Sequence, residues 1–103
     1  LVKKVLSADD LLPAARAIAR EIADNTAAVS VTLIRHMMWK GLDFTHPMDA
    51  HKVDSRAVAA RGRGADAQEG VASFLEKRPA IYPQKVSTDM PDFFPWWEEP
   101  QYG

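Results

Sequence analysis

The chain has no cysteine among its 103 residues, which excludes a disulfide framework and any thiolate metal site and fits a reducing cytoplasm. It has no apolar run near the roughly 20 residues that span a bilayer. Its opening, LVKKVLSADD, is too short and too soon charged for a signal peptide. A soluble, cytoplasmic chain is expected, with no membrane partner. An excess of one charge is also missing: 13 basic residues against 14 acidic ones leave a net charge of -1. There is thus no bulk attraction to nucleic acid, and none is expected as a partner. No glycine-rich phosphate loop, nucleophile elbow or HExxH occurs, and no pair of acids is marked by its spacing as general acid and base. Pattern alone therefore assigns no catalytic residue and no prosthetic group.

What is present is ordinary globular material. Apolar residues make up 47% and charged residues 26%, which argues for one folded unit over residues 1–103 and against a disordered chain. The chain begins at Leu1, in mid-pattern and without methionine, as a piece of a longer protein would.

The periodicity predicts an all-α chain of about four helices within residues 7–78, preceded by a strand exit or lead-in over 1–6 and followed by an extended tail over 79–103. Ser7 stands as the N-cap of a first helix, with Asp9 and Asp10 in the turn where the helix dipole favours acids. Leu11, Leu12, Ala15, Ile18, Ala19 and Ile22 then mark one buried face, and Pro13 falls close enough to the first turn to be tolerated. After Asn25 and Thr26, a second helix carries Val29, Val31, Leu33, Ile34, Met37 and Met38 over more than one face, so it needs cover on two sides; Gly41 closes it. Thr45 and Pro47 read as N-cap and first helical position of a third, surface helix ending at Gly62 or Gly64. A fourth helix runs from Ala65 to Arg78, with Ala67, Val71, Phe74, Leu75 and Arg78 on one stripe.

Beyond Pro79 the composition changes, with five of the seven prolines and most of the aromatics in the last 25 residues. Regular helix is excluded there. Phe93, Phe94, Trp96 and Trp97 must pack on something, and two covers are open: this chain's own helices or a neighbouring subunit.

Three clusters invite chemistry. His46, Asp49, His51 and Asp54 match no familiar metal spacing and read as a solvated helix face, so no metal site is expected. Arg56, Arg61 and Arg63, in a chain of balanced charge, read as helix-terminus chemistry. The third cluster is Phe74, Lys77 and Arg78, three and four residues apart and so on one helix face. An aromatic face beside a fixed cation suits a planar base carrying a phosphate. Spacing alone favours the plainer assignment, with Phe74 in the core and both cations at the negative end of the helix dipole.

The stretch DAQEGVASFLEKRPAIYP, from Asp66 to Pro83, resembles the C-terminal signature of the enoyl-CoA hydratase/isomerase, or crotonase, family. LVKKVLSADDLLPAARAIAREIADNTAAVSVTLIRHMMWKGL resembles the strand exit and first two helices of that family's C-terminal region. The specific part is the order Asp66, Glu69, Gly70, Phe74, Glu76, Lys77, Arg78; after the proline, where the family commonly has Phe, this chain has Ile81 and Tyr82. The resemblance implies an acyl-CoA thioester as substrate of the parent enzyme. It also implies a separate N-terminal spiral domain, absent here, that holds the oxyanion hole and catalytic carboxylates. The helical segment would supply lid, homo-oligomer contacts and part of the CoA site, with Phe74 at the adenine and Lys77 at the 3′-phosphate, and would be inert alone. The competing reading is an autonomous helical module that binds no CoA and self-associates through the apolar faces of its second helix and tail.

Overall fold

Each helix starts and stops where local hydrogen bonding lets it. The computed structural model describes residues 1–103, with four α-helices and no strand. Residues 1–7 carry neither helix nor strand. Helix α1 spans Ala8–Asn25, and the Ser7 hydroxyl accepts a hydrogen bond from the Asp10 backbone N–H at 3.2 Å, the predicted cap. Its far end is closed by side chains: Asn25 Nδ2 donates to the Glu21 carbonyl at 3.0 Å and Thr26 Oγ1 to the Ile22 carbonyl at 2.6 Å. Pro13 lies deeper than expected, in the second turn, where its missing N–H leaves the Asp9 carbonyl without a helical donor.

Helix α2 covers Ala28–Lys40 and ends at Gly41, which has right-handed φ of -66° and leads into a 3-10 turn over Gly41–Asp43. Helix α3, Pro47–Gly62, is capped by His46 and not by Thr45. The His46 ring nitrogen Nδ1 accepts from the Met48 N–H at 3.0 Å, while Asp49 Oδ2 accepts from the His46 N–H at 3.3 Å, a capping box built on imidazole. Helix α4 follows at Ala65–Glu76.

The core is small and lies between α2 and α3. Val29 and Leu33, one turn apart on α2, meet Ala57 of α3, with Val53 buried one turn earlier. The tail closes this core from above: Met90, Phe93, Phe94 and Trp96 pack on it. Trp97 stacks on His36 of α2 with ring centroids 5.0 Å apart, Lys40 Nζ sits 4.7 Å from the Trp97 centroid, and Arg56 of α3 lies over Phe93 at 5.4 Å. Of the two covers open to the aromatic tail, the arm lies on this chain's own helices.

A buried polar knot ties the helices to the tail. Arg61 donates to Ser30 Oγ on α2 at 3.2 Å, to Asp66 Oδ2 on α4 at 2.7 Å and to Gln84 Oε1 at 2.9 Å. Gln84 N–H returns to Asp66 Oδ1 at 3.0 Å, and the Asp66 N–H donates to Gln84 Oε1 at 3.3 Å. Asp66 is 3% exposed, so its charge is tolerated only because guanidinium and amide groups surround it. Gly64 leaves room for the same knot: a Cβ there would come within 2.6 Å of Gln84 Oε1, and the Gln84 side chain would have to shift.

The remaining surfaces are bare. Helix α1 has no buried residue, and Leu11, Leu12, Ile18 and Ile22 of its apolar stripe are exposed, contrary to the buried face its spacing predicts. On α2 only one of the two apolar sides is covered, and Ile34, Met38 and Trp39 face outward. The radius of gyration is 16.9 Å against about 13 Å for a compact chain of this length. The accessible surface is 8548 Å², about 2,800 Å² more than a compact monomer of this mass presents.

The knot generates a direct test. Asp66→Ala strands Arg61 without its counter-charge and is expected to cost about 3 kcal/mol or more, enough to remove cooperative unfolding in a urea or thermal melt followed by circular dichroism. Arg63→Ala, at the exposed cap two residues on, is expected to leave the melt within about 0.5 kcal/mol of the parent.

Candidate functional site

Helix α4 is inverted relative to its periodicity. Its buried positions are Asp66 and Ser73, and its apolar positions Val71, Phe74 and Leu75 point outward. Polar and small residues face the chain's interior because the ion-pair knot anchors α4 at Asp66, and the aromatic ring of Tyr82 lies 3.8 Å from where a Cβ on Gly70 would stand. Phe74 is consequently 71% exposed. The core position that spacing favours for it is overturned.

The helix also ends two residues earlier than predicted. Lys77 adopts the left-handed conformation, φ 57° and ψ 38°, the one positive φ in the chain, and no glycine shares it. The Arg78 N–H donates to the Ser73 carbonyl at 3.1 Å and the Lys77 N–H to the Phe74 carbonyl at 3.4 Å, the pairing of a Schellman motif. A residue with a Cβ in this conformation costs about 1 kcal/mol, so the motif is normally closed by glycine.

That turn separates the three residues that sequence grouped. The Lys77 backbone folds back so that Nζ stands 4.4 Å from the Phe74 ring centroid, while Arg78 swings away. The Arg78 guanidinium grips Glu69 with two parallel bonds, Nη1 to Oε1 at 2.6 Å and Nη2 to Oε2 at 2.9 Å, and its Nε donates to Glu76 Oε2 at 2.5 Å. Phe74 and Lys77 therefore form one exposed unit, and Arg78 belongs to a different one. Glu69 was invisible as a partner in the sequence, because nine residues across a helix end is not a helical spacing.

Glu69 also accepts the Ile81 N–H at 2.8 Å. The Arg78 hydrogen bonds and then the Ile81 N–H hold its carboxyl down to about 2, and the two carboxylates push Arg78 above the usual guanidinium range. No ion pair involves Lys77, which leaves its ammonium free for an external anion.

The other clusters do not assemble sites. His46 and Asp49 serve the α3 cap, and His51 lies 3.4 Å from Ser55. No three His, Asp or Glu side chains converge as metal ligands would. Arg56 lies over Phe93 and Arg61 is drawn into the buried knot, so the three arginines share no basic face. No helix is long and apolar enough to cross a membrane.

Two measurements follow from the turn. Lys77→Gly relieves the left-handed strain and is expected to raise stability by about 1 kcal/mol, read from urea denaturation. The clamp has a pH signature. Glu69 titrates lower when folded than its ordinary 4.5, so its contribution is present above about 4.5 and is lost as pH falls toward about 2. The melting temperature should decline across that window, and Glu69→Gln should lower it at pH 7 while flattening the decline.

The family model for enoyl-CoA hydratase/isomerase matches residues 1–85. Two proteins of Alternaria alternata are similar: the enoyl-CoA hydratase ACTT3, 41% identical over 71 residues, 69% of this chain and 23% of that protein, and the enoyl-CoA hydratase AFT3-1, 40% identical over 74 residues, 72% of this chain and 24% of that protein. The chain thus spans about a quarter of the length of these curated relatives. The match takes in all four helices, the Glu69–Arg78 clamp and the Phe74–Lys77 pair, and the chain belongs to the enoyl-CoA hydratase/isomerase family.

Proposed function

We propose that this chain is the C-terminal helical segment of a longer acyl-CoA-binding enoyl-CoA hydratase/isomerase, and that Phe74 and Lys77 form the edge of its CoA site. The observation that carries the reading is the exposed pair itself, an unpaired ammonium held 4.4 Å from an aromatic face that is 71% exposed. The ring offers a stacking surface to adenine and the ammonium a charge-assisted hydrogen bond to the 3′-phosphate. Arg78, neutralised by two carboxylates, is left out of the contact.

In this reading the chemistry lies elsewhere. Adding water to an enoyl thioester, or moving its double bond, builds enolate-like charge on the thioester oxygen, which preorganised backbone N–H groups stabilise. Those groups and the catalytic carboxylates would belong to an N-terminal spiral domain outside these 103 residues, in the parent enzyme. Helices α1 and α2 would supply lid and homo-oligomer contacts, and the bare stripes of Leu11, Ile18 and Ile22 and of Ile34, Met38 and Trp39 suit that role. The enzyme would work in the cytoplasm, where a chain without cysteine is at no disadvantage, within fatty-acyl metabolism.

The second reading, a self-associating helical module without CoA binding, is favoured by the same excess of about 2,800 Å² of surface, which exceeds what a standard protein interface buries. The two readings separate in a titration of the isotope-labelled chain with adenosine 3′,5′-bisphosphate and with AMP. Shifts at Phe74 and Lys77 that are stronger for the bisphosphate and lost in Lys77→Ala are expected. Equal response to both nucleotides, or none, would sink the CoA reading. Hydration of crotonyl-CoA by the 103-residue chain is expected to be undetectable, and turnover would contradict the assignment of chemistry to another domain.

A further inference from the structure

Lys77 sits where a glycine would be easier, and something must hold it there. Left-handed residues with a side chain persist where the surroundings over-determine them. The surroundings here are a knot of contacts on both sides of Lys77. Glu69, two turns earlier on α4, receives both forks of Arg78 at 2.6 and 2.9 Å and the Ile81 N–H at 2.8 Å. Arg78 also donates to Glu76 at 2.5 Å and to the Pro79 carbonyl at 3.3 Å. The residues before and after Lys77 are thereby joined to one another and to the helix body, and the residue between them has no freedom to unwind.

We propose that Glu69 and Arg78 are positioning residues that hold Lys77 left-handed and so keep its ammonium above the Phe74 ring. The inference takes its functional sense from the CoA-nucleotide reading, since a fixed cation beside a fixed ring is useful to a planar ligand carrying a phosphate. Two features sharpen it. The pairing is bidentate, so it fixes the direction of Arg78 as well as its distance. It also removes a competitor: one guanidinium between two carboxylates leaves the knot with a net charge of minus one, so a phosphate finds attraction at Lys77 and repulsion just beyond it. The ligand is thereby steered to the Phe74 side of the turn.

The test reads the position of Lys77 directly. A methylene held over an aromatic face shows an upfield ring-current shift, so the Lys77 ε-protons in the full 103-residue chain should be shifted at pH 7. Glu69→Gln and Arg78→Lys, the latter keeping the charge and losing the fork, should both return those protons to ordinary values while the α4 backbone resonances through Ser73 stay in place. Release of the left-handed state lowers the binding-competent fraction, and the affinity for adenosine 3′,5′-bisphosphate should fall by about tenfold in both variants. A Lys77 shift that survives in both variants, or is missing from the parent, overturns the inference. A shift that is lost in both variants, in a chain whose spectrum ignores the nucleotide altogether, upholds the positioning and removes the CoA reading.

Discussion

The pairing of Arg61 with Asp66 is the constraint on which the rest of the chain depends. Only four apolar side chains are buried, too few to fix the relative placement of three helices and a 25-residue tail by packing alone. The guanidinium reaches α2 through Ser30, α4 through Asp66 and the tail through Gln84, so one side chain sets three distances. It also sets an orientation. With Asp66 drawn inward, Ser73, two turns on, follows to the interior, and Phe74 is carried outward on the opposite face. The exposed aromatic of the proposed site is thus a geometric consequence of an ion pair eight residues away.

Where signals are local, the sequence was legible. The Ser7 cap and the α1 stop at Asn25 and Thr26 rest on hydrogen bonds within four residues, and residue type announces them. Non-local signals were not. Arg61 and Asp66 lie five apart across a two-residue turn, and Gln84 lies 18 further on, so no helical spacing marks the knot. Amphipathic spacing correctly grouped Val71, Phe74 and Leu75 on one stripe of α4, but periodicity states which residues share a face and not which side of the face has cover. The same limit applied to α1. Two boundaries moved because unusual residues took ordinary roles: an imidazole in place of a hydroxyl at the α3 cap, and a lysine in place of a glycine at the α4 stop.

Those exposed stripes and that lysine belong to one pattern. A sequence selected only for the stability of these 103 residues would place glycine at position 77 and polar residues at 71, 74 and 75. Each departure costs the isolated chain something, and each makes sense if the surface meets another molecule. The aromatic tail marks a contrast. Phe93, Phe94 and Trp96 pack against the core of α2 and α3, so the chain covers its own core with its own residues and leaves the outer stripes open.

The two ion pairs differ in kind, and the difference separates architecture from function. Asp66 is enclosed, and its carboxylate is met by the Arg61 guanidinium and the Gln84 N–H, so removing either partner strands a buried charge. Glu69 and Arg78 sit nearer solvent, with side chains 17% and 38% exposed, where ion pairs add little to stability. A bidentate grip at such a place is a weak way to secure a fold and an effective way to fix a direction. What it fixes is the one strained residue in the chain, beside the one aromatic ring on α4 that the helix leaves in the open. Architecture brings that ring to the surface, and the clamp then decides which cation accompanies it.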